Sequence, residues 1–174
     1  MEKKRERKVE IKYYDATGWT SLPAAGLSSL TPYATDTTTT INFPNLSGEF
    51  AGSGRADSVG ALFQSYLYVD AVVAQICVTS DDGSKLFLDD VLVIDNDGMH
   101  NIRKICADVS PGVYKFDLEY FERFGGAHLV LEWGNPSGGL RVVPPRSWAT
   151  VREMALMSQI LSCSTLLLYI TLII

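Results

Sequence analysis

The stretch Thr79-Ser-Asp-Asp-Gly-Ser-Lys-Leu-Phe-Leu-Asp-Asp-Val-Leu-Val-Ile-Asp-Asn-Asp-Gly-Met-His100 decides how this chain folds. Two apolar runs, Leu86–Leu88 and Val91–Ile94, flank the pair Asp89-Asp90. Acidic turn residues between β-favouring runs predict a hairpin. Turn chemistry also brackets it, with Ser80–Ser84 before and Asp95–Gly98 after. Asp and Asn bond their own backbone, and Gly supplies conformations that other residues resist. The spacing therefore predicts a rigid hairpin with carboxylates crowded at its ends. Such oxygens can hold a hard cation or simply close turns.

Downstream, Ile102–Asp108 reads as a short strand and Ser110-Pro111-Gly112 as a turn. Then Tyr114, Phe116, Leu118 and Tyr120 alternate with Lys115, Asp117 and Glu119, the clearest period-two signal in the chain. On this reading Asp117 and Glu119 form a solvated strand face. Leu129, Leu131 and Trp133 repeat the pattern, and a last strand at Leu140–Val143 ends at Pro144-Pro145. Upstream, Val72–Thr79, Val59–Val69 and Val9–Asp15 read as strands. Thr17–Asn45 reads as a long ordered loop with short strand pieces, and Glu49–Asp57 as a Gly-rich turn. Those glycines are followed by no Gly-Lys-Ser/Thr ending, so they do not make a phosphate loop. Many short strands with Gly, Pro and Asp turns predict an all-β fold, an antiparallel sandwich or barrel.

The order of these motifs resembles the PA14 domain family: Ser80–Ser84, the strand and turn, Val93–Asn96, His100, Glu119–Glu122 and Leu131-Glu132-Trp133. The resemblance runs from about Val9 to Trp148 and implies a β-sandwich, with Leu86, Leu88, Phe116, Leu118, Tyr120, Leu131 and Trp133 buried. In the yeast adhesins of this family the pair matching Asp81-Asp82 has a cis peptide and holds Ca²⁺, and the ion holds sugar hydroxyls. The adhesins complete that site with an Asn, which aligns here with Glu122. The resemblance thus implies a Ca²⁺ site of Asp81, Asp82, Glu122 and backbone carbonyls, with Arg123 as a hydrogen-bond donor and Phe124 as a stacking face for sugar. The alternative is that the two aspartates accept backbone N–H groups and fix the turn.

Three functions follow as expectations. The first is a non-catalytic carbohydrate-binding or adhesion module for a glycan or glycoprotein, outside the cell or on its surface. The second is a structural domain that contacts a protein partner without a small ligand. The third, a glycan-processing enzyme fragment, would need a selected pair of carboxylates, and nothing singles one out. No Gly-x-Ser-x-Gly elbow is present. His100 and His128 lie at no zinc-ligand spacing, and Asp95–Gly98 lacks the rest of an EF-hand. A net charge of −5 argues against nucleic acid. The tryptophans, Trp19, Trp133 and Trp148, are expected to pack in or at the edge of the core. Cys77, Cys106 and Cys163 are too few for a disulfide framework; the first two flank the hairpin and could pair only if their strands neighbour each other, and ordinary buried or half-buried thiols are expected.

The expected organisation is a charged leader over 1–8, a sandwich domain over 9–149 and an apolar, helical segment over 150–174. The leader has no apolar run of the secretory type. Residues 154–174 carry no charge and as a helix would span about 30 Å, enough for a bilayer core. They read as a membrane anchor, as a cleaved glycolipid-anchor signal, or as a gene-model artefact at a fragment end.

Overall fold

The computed structural model describes residues 7–135 and 137–149. The 150–174 segment, with its expected helix and membrane role, lies outside them, as does most of the leader. Among the described residues no helix is long and apolar enough to cross a membrane.

Among the described residues twelve strands follow one another: β1 (Val9–Asp15), β2 (Ala34–Thr38), β3 (Asn42–Leu46), β4 (Val59–Val69), β5 (Gln75–Asp81), β6 (Ser84–Leu88), β7 (Val91–Asn96), β8 (Arg103–Asp108), β9 (Gly112–Glu122), β10 (Ala127–Asn135), β11 (Gly139–Val142) and β12 (Trp148–Ala149). They form two antiparallel sheets. The larger runs β2-β1-β4-β9-β6-β7, with β12 on β4. The smaller runs β11-β10-β5-β8, with β3 on β10. Apolar residues from both inner faces make one core, among them Phe63, Leu86, Phe116, Leu118 and Tyr120 opposite Ile76, Val78, Leu129, Leu131 and Trp133. All seven residues expected to be buried are buried. Trp148 is also fully buried, with its indole N–H donating to the Thr39 carbonyl at 3.0 Å.

The β6–β7 hairpin turns on Asp89 and Asp90, both at positive φ (51° and 64°), which matches the twist of a two-residue hairpin. Lys115 secures the turn: its backbone N–H donates to the Asp89 carboxylate at 2.7 Å, and its ammonium pairs with Asp90.

Several expectations are corrected. Val72–Ala74 is not strand; Asp70 accepts the Val72 N–H and closes a turn there, leaving Val72 64% exposed. Ile102 likewise precedes its strand and is exposed. Glu119 is not on a solvated face. Residues of the long loop, with Leu22 and Leu27, pack on the outer side of the larger sheet against Tyr14, Leu62 and Phe121, a second small core. The loop covers Glu119, which accepts the Leu27 N–H at 2.6 Å.

Cys77 and Cys106 are disulfide-bonded rather than free. They are register partners on β5 and β8, which the β6–β7 hairpin separates in sequence. Chain entropy for a 29-residue separation gives a stabilisation of about 3–4 kcal/mol. Replacing both by Ser is expected to lower the urea midpoint accordingly, and an unchanged midpoint would show that the bridge does not constrain the unfolded chain.

Candidate metal and ligand site

The chain crosses from the smaller to the larger sheet between β5 and β6, through Asp82 and Gly83. Asp81 ends β5 and the Asp81–Asp82 peptide is cis. Glu122 ends β9, in the other sheet. The crossing brings the three acids together: one carboxylate oxygen from each of Asp81, Asp82 and Glu122 lies within 4.8 Å of the others.

Asp82 is fixed by two backbone donors. The His100 N–H reaches its Oδ1 and the Arg123 N–H its Oδ2, each at 3.1 Å. It therefore closes turns, as one sequence reading held, while also facing its acidic neighbours. Tyr120 donates its hydroxyl to the Asp81 carbonyl at 2.6 Å and stands 3.3 Å from Glu122 Oε2. A phenol has one proton, so the closer acceptor holds it and Glu122 gains little. Glu122 is fully buried, and among the described residues its Oε1 has no hydrogen-bond partner. Burial, then the charges of Asp82 and Asp81, push the Glu122 carboxyl up to about 7. Burial and Asp82 also raise Asp81.

A buried carboxylate oxygen without a donor is costly, and three carboxylates this close repel one another. Both penalties vanish if a hard cation takes the oxygens, so this donor set fits Ca²⁺ chemistry. A thiol-seeking metal is disfavoured because every donor is oxygen.

Beneath the acids lies a buried polar lock. Ser80 and Ser84 share a hydrogen bond at 2.8 Å, and Asn96 donates to Ser80 Oγ at 2.8 Å. The Asn96 carboxamide oxygen accepts from Arg103, and its carbonyl faces His100 Nε2 at 2.9 Å. The motif residues Ser80, Ser84, Asn96 and His100 thus hold the loops that carry the acids.

The rim differs in character. Phe124 is 63% exposed, and Met99 and Ile102 are exposed too. Each sits at or next to a residue whose backbone serves the aspartates. The Arg123 guanidinium lies 5.2 Å over the Phe124 ring and 3.0 Å from Met99 Sδ. All five residues expected at the site therefore gather at this end of the sandwich. Trp19 is half-buried and packs edge-on against Phe121, and Trp133 is buried. Tyr120 and the rim residues Met99 and Ile102 escape sequence reasoning, because alternation marks Tyr120 only as core and the other two as strand or turn.

The fold and the acidic crossing define a β-sandwich domain of the PA14 type. The PA14 domain description matches residues 23–147, and the chain belongs to that family. No curated protein matches it. Among solved structures it is similar to an anti-sigma factor domain-containing protein (TM-score 0.68, 16% identity), covering 83% of this chain and 48% of the other, so it spans about half that relative's length. It is also similar to a PA14 sugar-binding domain from an RTX adhesin (TM-score 0.67, 16% identity), covering 84% and 99%. A third is the epithelial adhesin 6 A domain of Candida glabrata in complex with Galβ1-3GlcNAc (TM-score 0.59, 10% identity), covering 85% and 88%.

Proposed function

We infer that this chain is a non-catalytic carbohydrate-binding module of the adhesion type. Asp81, Asp82 and Glu122 hold a Ca²⁺ whose remaining coordination positions take vicinal sugar hydroxyls. The observation that carries this reading is the buried Glu122 Oε1, without a partner among the described residues, within a trio of carboxylates near the exposed Phe124. The ion supplies the charge that the acids lack and a polar anchor for hydroxyls. Phe124 covers the apolar face of a sugar ring, and Arg123 donates to its oxygens. Sugar binding by the RTX adhesin domain and by the Candida adhesin supports the glycan as partner. The Cys77–Cys106 bridge supports an oxidising compartment, in keeping with a location outside the cell or on its surface. Residues 154–174 would serve as the membrane-associated segment.

A glycan array tests this reading. Binding to at least one glycan is expected in Ca²⁺ and is expected to be lost in EDTA. Phe124→Ala should weaken it about tenfold, the loss of one aromatic contact of about 1.4 kcal/mol. Ca²⁺ binding with no glycan retained would keep the metal site and move the function to a protein partner.

A further inference from the structure

The outer face of the larger sheet carries a trough that the acidic crossing does not use. Two cavities, of about 280 Å³ and about 400 Å³, meet on that face, and Gln64, Lys115 and Asp117 line both. Together they fall in the range of small-ligand sites, about 300–1,000 Å³. The trough is concave for a local reason. The small core around Leu22 and Leu27 raises a wall over one part of the sheet, and the Ala24–Ser28 stretch lines the first cavity. Phe87, half-buried, lines the same cavity, and half-buried Tyr66 lines the second.

The floor is already organised. Lys12 donates to Gln64 Oε1 at 2.7 Å, and Gln64 Nε2 donates to Asp117 Oδ1 at 2.7 Å. Lys115 lies 3.1 Å from Asp117 Oδ2 and also pairs with Asp90. Glu119, 6% exposed, gives one oxygen to the Leu27 N–H. Carboxylate oxygens have spare lone pairs after one hydrogen bond, so these groups can accept hydroxyl donors without rearranging. The two half-buried rings supply apolar faces.

Charge selects among ligands. The lining acids Glu10, Asp90, Asp117 and Glu119 outnumber the lining bases Lys8 and Lys115. Anionic polymers are repelled, and Lys115 already occupies two of the acids that a cationic peptide would need. We propose that this trough binds a neutral oligosaccharide chain without a metal ion, as a second site apart from Asp81, Asp82 and Glu122.

Affinity electrophoresis of the chain through gels containing a β-glucan, a xylan or a galactomannan, with EDTA throughout, tests this. At least one polysaccharide is expected to retard the wild type. Gln64→Ala and Tyr66→Ala should each weaken retardation about tenfold, a loss of about 1.4 kcal/mol. Asp117→Asn, which keeps an acceptor oxygen, should retain most of it. Thermal melts establish that each variant is folded, and Tyr66→Ala decides the matter if Gln64→Ala is not. The proposal is overturned if no gel retards the wild type in EDTA. It is equally overturned if the folded variants migrate like wild type, or if polylysine gels retard the chain while the glycans do not. EDTA silences the calcium reading, so the two ideas fail separately.

Discussion

Millimolar Ca²⁺ is expected to raise the melting temperature of the metal-free protein, and Asp82→Ala is expected to abolish the rise. At a hundredfold excess over Kd, binding adds about 2.7 kcal/mol. For a protein of this size that is about 5–10 °C. The effect should depend on pH in a direction set by Glu122. Its folded carboxyl sits at about 7, above its ordinary value of 4.5. Between those values the unfolded state ionises first, so the metal-free fold loses stability as pH rises, by about 3 kcal/mol in all. Ca²⁺ displaces the retained proton. Binding should therefore release protons at pH 6, strengthen as pH approaches 7, and level off above it. Calorimetry in two buffers of different ionisation heat measures the release. Equal affinity at pH 5.5 and pH 8 would remove Glu122 from the site.

Gly83→Ala is expected to be among the most damaging single substitutions in the chain. A Cβ built there would lie 2.5 Å from Phe121 Cε1 and 2.9 Å from both the N and the O of Gly98. The ring can turn, but the Gly98 backbone is part of the segment that leads to His100, whose N–H holds Asp82. Overpacking against backbone should cost about 3 kcal/mol or more. Gly48→Ala, where a Cβ meets nothing within 4 Å, is the control and should change stability by less than about 0.5 kcal/mol. Urea midpoints of the two variants give the comparison. Equal midpoints would show that the crossing between sheets is loose. Ca²⁺ affinity should fall with Gly83→Ala as well, because the same shift moves Asp82.

Gly83 also shows where sequence reasoning stops. The turn chemistry of Asp81-Asp82-Gly83 suggests a glycine needed for its backbone freedom. Gly83 is not among the glycines at positive φ, and its lack of a side chain instead admits Phe121 and Gly98. Close approach between segments distant in sequence leaves no local signature. Cys77 and Cys106 were illegible for the same reason, since the hairpin between them pairs into the other sheet. Glu119 alternates with core residues as a solvent-facing residue should, and only the loop laid over the sheet buries it. What local periodicity encodes was readable. β4 spans Val59–Val69, as the apolar run suggested, and Phe116, Leu118 and Tyr120 of β9 enter the main core as expected. The clustering of Asp81 and Asp82 with Glu122 came from resemblance alone, because no spacing rule links the ends of β5 and β9.

β4 pairs with β9 at one end, Val59 opposite Glu122, and with β12 towards the other, Tyr66 opposite Ala149. At about 3.3 Å per residue, roughly 23 Å of strand separates the two points. A ligand gripped at Glu122 and a tether pulling beyond Ala149 would load the domain along its strands. In that geometry the ladder hydrogen bonds between β4 and β9 resist sliding together, in parallel. They are not opened one after another, as a pull across the strands would do. Under such a load the long central pair of the larger sheet would act as the mechanical spine of the domain.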